Sequence, residues 1–593
     1  MPTHSSAACL LSFVLAGAAP SVAALELREV RVEGIADEAM RDDVADALSL
    51  QRLEPGRRAT LSESRLSYLL RRTPGEVRAA MEPYGYYAPE IAPDVRRDGD
   101  HVDVVVRVVP GEPVRVTARD ITLTGPAAAD STLMRLLGRF RPRDGQVFHH
   151  GTYEDGKARI DRALAERGYF DAALPVHTVR VERATRSAAI ELAWTSGERY
   201  ALGDATFHGH PFRPGLLENL VPWTPGEPYR QSELLDLQRS LAGLDYFAAI
   251  DITADPDAAG ADRQVPVDVA LAPAKRSVWS AGVRYGTDTG LGVTAGLDRR
   301  WVNDRGHKFR ALAQVAERRT DLAAQYRIPA FAWLDGWYAL GANVREEEVD
   351  GVAGQLLEVI ASRSGRLDDW TLTAAVNVRR ERFDDVATGF TRSYSTLVYP
   401  SLLAQWSRSD DLLYPRSALG FTTELRGGHS AIGSDVDFLQ LRAEGRWVHG
   451  IGRRQRVLLR AEAGTTVSDE FDALPPSLRF HAGGDRSVRG YGYRGIGEIA
   501  TDLQGREFAI GGKHLVVASV EFEHMFDRTW GAAVFVDAGD AFDEADDFEL
   551  QPGAGVGLRW RSPVGPVRLD VAHGFGDQAG QSVRLHLNIG PDL

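Results

Sequence analysis

One cysteine stands among 593 residues, Cys9, and it falls in the first two dozen. Without a second thiol the chain forms no internal disulfide, no multi-thiolate metal site and no cysteine nucleophile beyond that position, which suits an oxidising compartment. Long apolar runs are also missing. After the N-terminal segment no stretch reaches the ~18 residues of a membrane helix, so a helical span is excluded. Positive charge is in deficit, with 69 Lys and Arg against 83 Asp and Glu, a net charge of -14 and a pI near 5.6. The cations are scattered among carboxylates, and no nucleic-acid footprint results. No G-x-S-x-G elbow, H-E-x-x-H pair or Walker loop occurs, so the chain is not read as an enzyme, and no catalytic residue, metal or cofactor is assigned.

What is present starts with a processing signal. An apolar core from Ala7 to Ala19 precedes Pro20 and the small-residue site Val22-Ala23-Ala24. Residues 1–24 therefore read as a signal peptide, although the flank before the core carries His4 and no Lys or Arg.

Residues 25–274 repeat themselves. The strand endings Val32-Glu33-Gly34, Leu123-Thr124-Gly125 and Phe207-His208-Gly209 recur at intervals of roughly 80–90 residues, as do Tyr86-Tyr87, Tyr169-Phe170 and Tyr246-Phe247. A helical stripe precedes each aromatic pair, clearest at Leu234, Leu237, Leu241 and Leu244. An alternating strand closes each unit, such as Val102, Val104, Val106 and Val108. The residue before the aromatic pair is Gly85, Gly168 or Asp245, consistent with a left-handed turn. These β-α-α-β-β units resemble POTRA domains, and their expected bounds are 25–111, 112–198 and 199–274.

From Ser277 onward, sixteen segments alternate apolar and polar residues, mostly over nine to fourteen positions. Trp370, Leu372, Ala374, Val376 and Val378 oppose Thr371, Thr373, Asn377 and Arg379; Val583, Leu585, Leu587 and Ile589 oppose Arg584, His586 and Asn588. An even number of strands of this length fits an antiparallel transmembrane β-barrel over residues 275–593, which leaves no unpaired backbone in lipid.

The connection at about 468–512 is far longer than the others and contains RSVRGYGYRGIG, Arg486 to Gly497. Gly490, Gly492 and Gly495 have the G-x-G-x-x-G spacing. The nucleotide-binding reading fails, because no buried strand precedes them, no helix follows and Lys513, not an acid, stands about twenty residues on. Such a loop instead suits folding back into the lumen. A buried Arg489 there requires a carboxylate. In GAAVFVDAGD, Phe535, Asp537 and Gly539 share the inward face opposite Val534, Val536 and Ala538, and Glu521 is a second inward candidate. The acidic run Asp537 to Glu549 does not match a calcium-loop spacing and reads as a solvated exterior loop near lipopolysaccharide.

Val488-Arg489-Gly490-Tyr491, preceded by Gly483-Gly484 and followed by Phe535-Val-Asp537-Ala-Gly539, resembles the lumen-loop signature of the outer-membrane assembly superfamily that includes BamA, TamA and the two-partner secretion transporters. The resemblance implies an outer-membrane location with periplasmic N-terminal domains. It also implies that Arg489 is held by Asp537 and Glu521, and that client strands pair at a seam between the first strand, Ser277 to Gly286, and the last, Ser582 to Gly590. Three repeats and the ending Gly590-Pro591-Asp592-Leu593 are similar to the TamA branch. That similarity implies an inner-membrane-anchored, periplasm-spanning TamB-like partner and client outer-membrane proteins such as autotransporters. The alternatives are a passive plugged pore and a two-partner-secretion transporter.

Overall fold

The computed structural model describes the chain except residues 1–24, 287–289, 332–334, 350–351, 386–389, 392–393, 412, 502–504, 506, 563–564, 580–582 and 590–593. The expected leader and the seam positions Ser582 and Gly590 lie outside the described residues. The chain packs as two compact units whose boundary runs through the third repeat.

In the first repeat, β1 (Glu26–Glu33) leads to helices Glu38–Ala47, Pro55–Arg58 and Glu63–Met81, then to β2 (Glu90–Asp98) and β3 (His101–Val109). Local signals start the helices: Asp37 accepts from the Met40 N–H at 2.9 Å and Ser62 from Arg65 N–H at 3.3 Å. The long helix buries Leu66, Leu69, Thr73, Val77 and Met81, a stripe at three- and four-residue spacing. It packs on the inward valines of β3, which lies between β1 (parallel) and β2 (antiparallel).

The second repeat, with β4 (Arg115–Thr124), β5 (Ala173–Glu182) and β6 (Ser187–Thr195), has the same strand order and its own core around Leu164, Ile190 and Trp194. The third, with β7 (Ala201–His208), β8 (Phe247–Ala254) and β9 (Gln264–Pro273), keeps the order but differs from expectation in one element. Its first helix is reduced to the 3-10 turn Glu218–Leu220. The turn before each aromatic pair is left-handed, with φ +90° at Gly85, +84° at Gly168 and +56° at Asp245, the last being a residue type that tolerates this region.

The remaining chain forms one antiparallel meander of sixteen strands, starting with Ser277–Gly286 and ending with Arg584–Ile589; the two-residue strand Phe390–Thr391 pairs antiparallel with the end of the seventh, Trp370–Asp385. The first strand pairs only with the second and the sixteenth only with the fifteenth, so the sheet is not closed among the described residues. Alternation separates two surfaces. Val534 and Val536 are more than half exposed while Phe535 and Asp537 are buried; Val376 and Val378 face out while Asn377 and Arg379 face in. Such a band of exposed valine and leucine around a polar interior is the pattern of a lipid-facing barrel. Aromatic residues collect at the end where odd-numbered strands begin. Trp370 meets Trp406 and Phe421 at 6.4 and 6.2 Å, and Trp530 stacks on Trp560 at 5.6 Å, as in an interfacial belt.

Candidate functional site

The site lies on the inner wall of the last five barrel strands. The twelfth strand (His514–Met525) and the thirteenth (Trp530–Phe542) pair in register, with Ser519 opposite Asp537 and Glu521 opposite Phe535. Period-two alternation therefore sends Ser519, Glu521, Glu523, Phe535 and Asp537 to one side, and all five are buried.

The loop between the eleventh strand (Gln455–Val467) and the twelfth folds onto this wall. Phe480, Ala482, Val488, Tyr491 and Ile496 form an apolar cluster with Leu515, Val517 and Ala541. The bridges Phe480–Gly512 and Ala482–Ile496 close the loop on itself. Gly490 makes the close approach: its φ is +99°, and a Cβ there would stand 2.5 Å from the Gly574 nitrogen. On the wall side, a Cβ on Gly553 would meet the Arg489 carbonyl oxygen at 2.1 Å.

Arg489 is thereby fixed over Asp537. Its Nε donates to Oδ2 at 2.7 Å, its Nη2 to Oδ1 at 3.0 Å, and its backbone N–H to Oδ2 at 3.0 Å. Nη1 reaches Glu521 Oε2 at 2.7 Å and Asp570 Oδ2 at 3.0 Å, and the guanidinium carbon sits 3.3 Å from the Phe535 ring centroid. Ser519 donates to Asp537 Oδ1 at 2.6 Å. Asp537 has no exposed surface, so its charge is supported entirely from inside the protein. Tyr491 donates to the Pro552 carbonyl at 2.9 Å and accepts from the Gly576 N–H at 2.8 Å. Gly539 lies on the same inward row, opposite Val517.

The structure adds residues that were not assigned from the sequence. Arg559, on the fourteenth strand (Gln551–Ser562), bridges Glu521 at 2.6 Å, Glu523 at 2.9 Å and Asp570 at 2.5 Å. Asp570 belongs to the fifteenth strand (Gly565–Gly574). His586 of the last strand accepts from the Gly490 N–H at 3.2 Å, tying the loop to that strand. Inward parity was the available signal for each, but strand register around the curve supplies their adjacency. In the loop, His481 is held neutral, its pKa pushed down to about 3 by burial and then by Arg494.

Of the expected seam, Ser277 and Gly286 bound the first strand, and the described part of the last is the six residues Arg584–Ile589. Among the described residues no group of acids and histidines is arranged to hold a metal ion, and no helix is long and apolar enough to cross a membrane.

Residues 302–592 match the Omp85 superfamily domain, and residues 29–110 match the POTRA domain described as TamA domain 1. The chain is 21% identical over 585 residues to the outer membrane protein assembly factor BamA of Nitratidesulfovibrio vulgaris, covering 95% of this chain and 72% of that protein. It is 22% identical to BamA of Neorickettsia risticii, covering 76% of this chain and 62% of the relative. The crystal structure of BamA from Haemophilus ducreyi lacking POTRA domains 1–3 superposes with a TM-score of 0.63 at 16% identity, covering 80% of this chain and 99% of that one. The last likeness concerns the fold. Taken with the barrel and the three repeats, these matches make the chain an Omp85/BamA-like outer-membrane β-barrel protein with N-terminal POTRA domains, which lie in the periplasm.

Proposed function

We propose that this protein is an assembly or secretion factor for outer-membrane proteins, working by strand pairing at the seam between its first and last barrel strands. The observation that carries the reading is the pair of sheet ends. The edges of Ser277–Gly286 and Arg584–Ile589 have no described ladder partner on their outer sides, and the lumen loop holds the last strand from within through Gly490 and His586. An unpaired edge is a template for an incoming strand. A client hairpin pairing there enters the bilayer with its backbone satisfied, which the hydrocarbon region demands.

Within that class we assign the protein to a TamA-like role, with autotransporters among the clients and a TamB-like inner-membrane-anchored partner. Support comes from the three-repeat array and the match of residues 29–110 to the TamA-type POTRA model. Lipid and lipopolysaccharide contact the apolar outer face. No step requires a cofactor.

Comparing outer-membrane proteomes with and without the protein tests the reading, and loss of a subset of β-barrel or secreted proteins is expected. A loop packed against the inner wall also fits a plugged pore. Single-channel conductance with an unchanged proteome would establish that alternative instead.

A further inference from the structure

A second cluster in the lumen lies outside the loop signature. The connection between the eighth strand (Ser395–Ser409) and the ninth (Ser417–Gly428) is on the periplasmic side, since even-numbered strands run inward when the repeats are periplasmic. Asp411 Oδ1 accepts from the backbone N–H of Leu413 and of Tyr414, each at 2.8 Å, and turns the chain. Tyr414 then points into the charged interior. Its ring is contacted by two guanidiniums, Arg456 and Arg561, each 3.4 Å from the centroid. Its hydroxyl donates to Glu523 Oε2 at 2.9 Å, and the next carbonyl, that of Pro415, accepts from Arg456 Nη1 at 2.8 Å.

Glu523 is fully buried and also accepts from Arg456 at 2.5 Å and from Arg559 at 2.9 Å. Arg559 continues to Glu521 and Asp570, the two carboxylates that share Arg489 Nη1. The links run without a gap from Tyr414 through Glu523, Arg559 and Glu521 to Arg489. Two guanidiniums brought close together repel; the π faces of one ring hold this pair, and Glu523 binds one of the two, Arg456. Removing the ring takes away the ring contact that holds Arg561, which then competes for Glu523 with Arg456 and Arg559 and draws Arg559 away from its shared carboxylates.

We propose that Tyr414 is a positioning residue for the lumen loop: the periplasmic connection it anchors holds Glu523 and Arg559, and through them the carboxylates that dock Arg489. The periplasmic mouth thus contains a release point for the loop. The inference rests on Arg489 being the loop anchor.

Spin labels on cysteines replacing Arg486 in the loop and Val293 on the lipid-facing wall, in the full-length protein in lipid nanodiscs, report loop position as a distance distribution. Arg489→Ala should broaden it. Tyr414→Ala should broaden it at least twofold over wild type in a barrel that still shows heat-modifiable gel mobility, and Tyr414→Phe, which keeps the ring but loses the Glu523 hydrogen bond, should give an intermediate width. Combining Tyr414→Ala with Arg489→Ala should broaden it no further than Arg489→Ala alone. A wild-type width in Tyr414→Ala, or in Tyr414→Phe where the alanine variant does not fold, overturns the link while leaving the anchor standing. A wild-type width in Arg489→Ala overturns both.

Discussion

Arg489 and Asp537, 48 residues apart in the chain, are joined by three hydrogen bonds, two from the guanidinium and one from the backbone N–H. The contact fixes both the side chain and the main chain of the loop tip, so Gly490 beside it serves approach to the wall and not to a phosphate.

Arg489→Ala leaves Asp537, Glu521 and Asp570 buried with one cation fewer. We expect a loss of about 3–5 kcal/mol, the usual cost of breaking a buried pair from one side. Arg489→Lys restores only part of it, because an ammonium cannot form the paired contact. Urea-gradient unfolding in detergent, read by semi-native gel mobility, measures both; equal midpoints for wild type and Arg489→Ala contradict the expectation.

Gly490→Ala combines a disfavoured backbone conformation with a Cβ 2.5 Å from Gly574. A cost of more than about 1 kcal/mol is expected from the conformation alone. Gly553→Ala attacks the same contact from the wall, where the added carbon meets the Arg489 carbonyl oxygen. Protease access to the loop should rise in each variant, and protection equal to wild type would show that the loop does not sit against the wall.

His481 gives the loop a pH dependence of defined sign. The docked imidazole stays neutral down to about 3, whereas a released loop binds a proton near the ordinary value of about 6.5. Above that value neither state is protonated and His481 contributes no slope. As pH falls from about 6.5 toward 3, the released state gains a proton that the docked state refuses, so docking weakens. The carboxylates of the network contribute equally to wild type and His481→Gln. The difference between their loop-protection curves should open below about pH 6.5, and parallel curves would contradict the assignment.

The first two repeats each have their own core, so residues 25–198 should fold alone as a soluble fragment. A cooperative thermal transition by circular dichroism is expected, and a featureless melt would count against it.

Much of this was legible in the sequence. Alternation located all sixteen strands of the meander, and the parity of Val534 and Val536 placed Phe535 and Asp537 on the inner wall. The share of Asp570, Arg559 and His586 in the loop network was not legible. Each is one of many inward polar positions, and only strand register brings the twelfth and fifteenth strands to a common guanidinium. Tyr414 was hidden differently: it stands in a short connection, where a tyrosine reads as surface until an Asp-capped turn directs it into the barrel. The third repeat's reduced first helix escaped because its apolar residues Leu217 and Leu220 are spaced as a helical turn would be, over too few residues to propagate one.

The central claim, client pairing at the seam, is tested most directly by locking it. One cysteine among Ser277–Gly286 and one among Arg584–Ile589, in the register that brings Cα atoms within ~4.4–6.8 Å, should form a disulfide across the two edge strands. Client insertion into proteoliposomes is then measured for the oxidised protein and again after reductant. The account predicts assembly blocked when locked and restored on reduction, with soluble partner binding to the POTRA domains unchanged. A fully oxidised, seam-locked protein that inserts clients at the unlocked rate would contradict it.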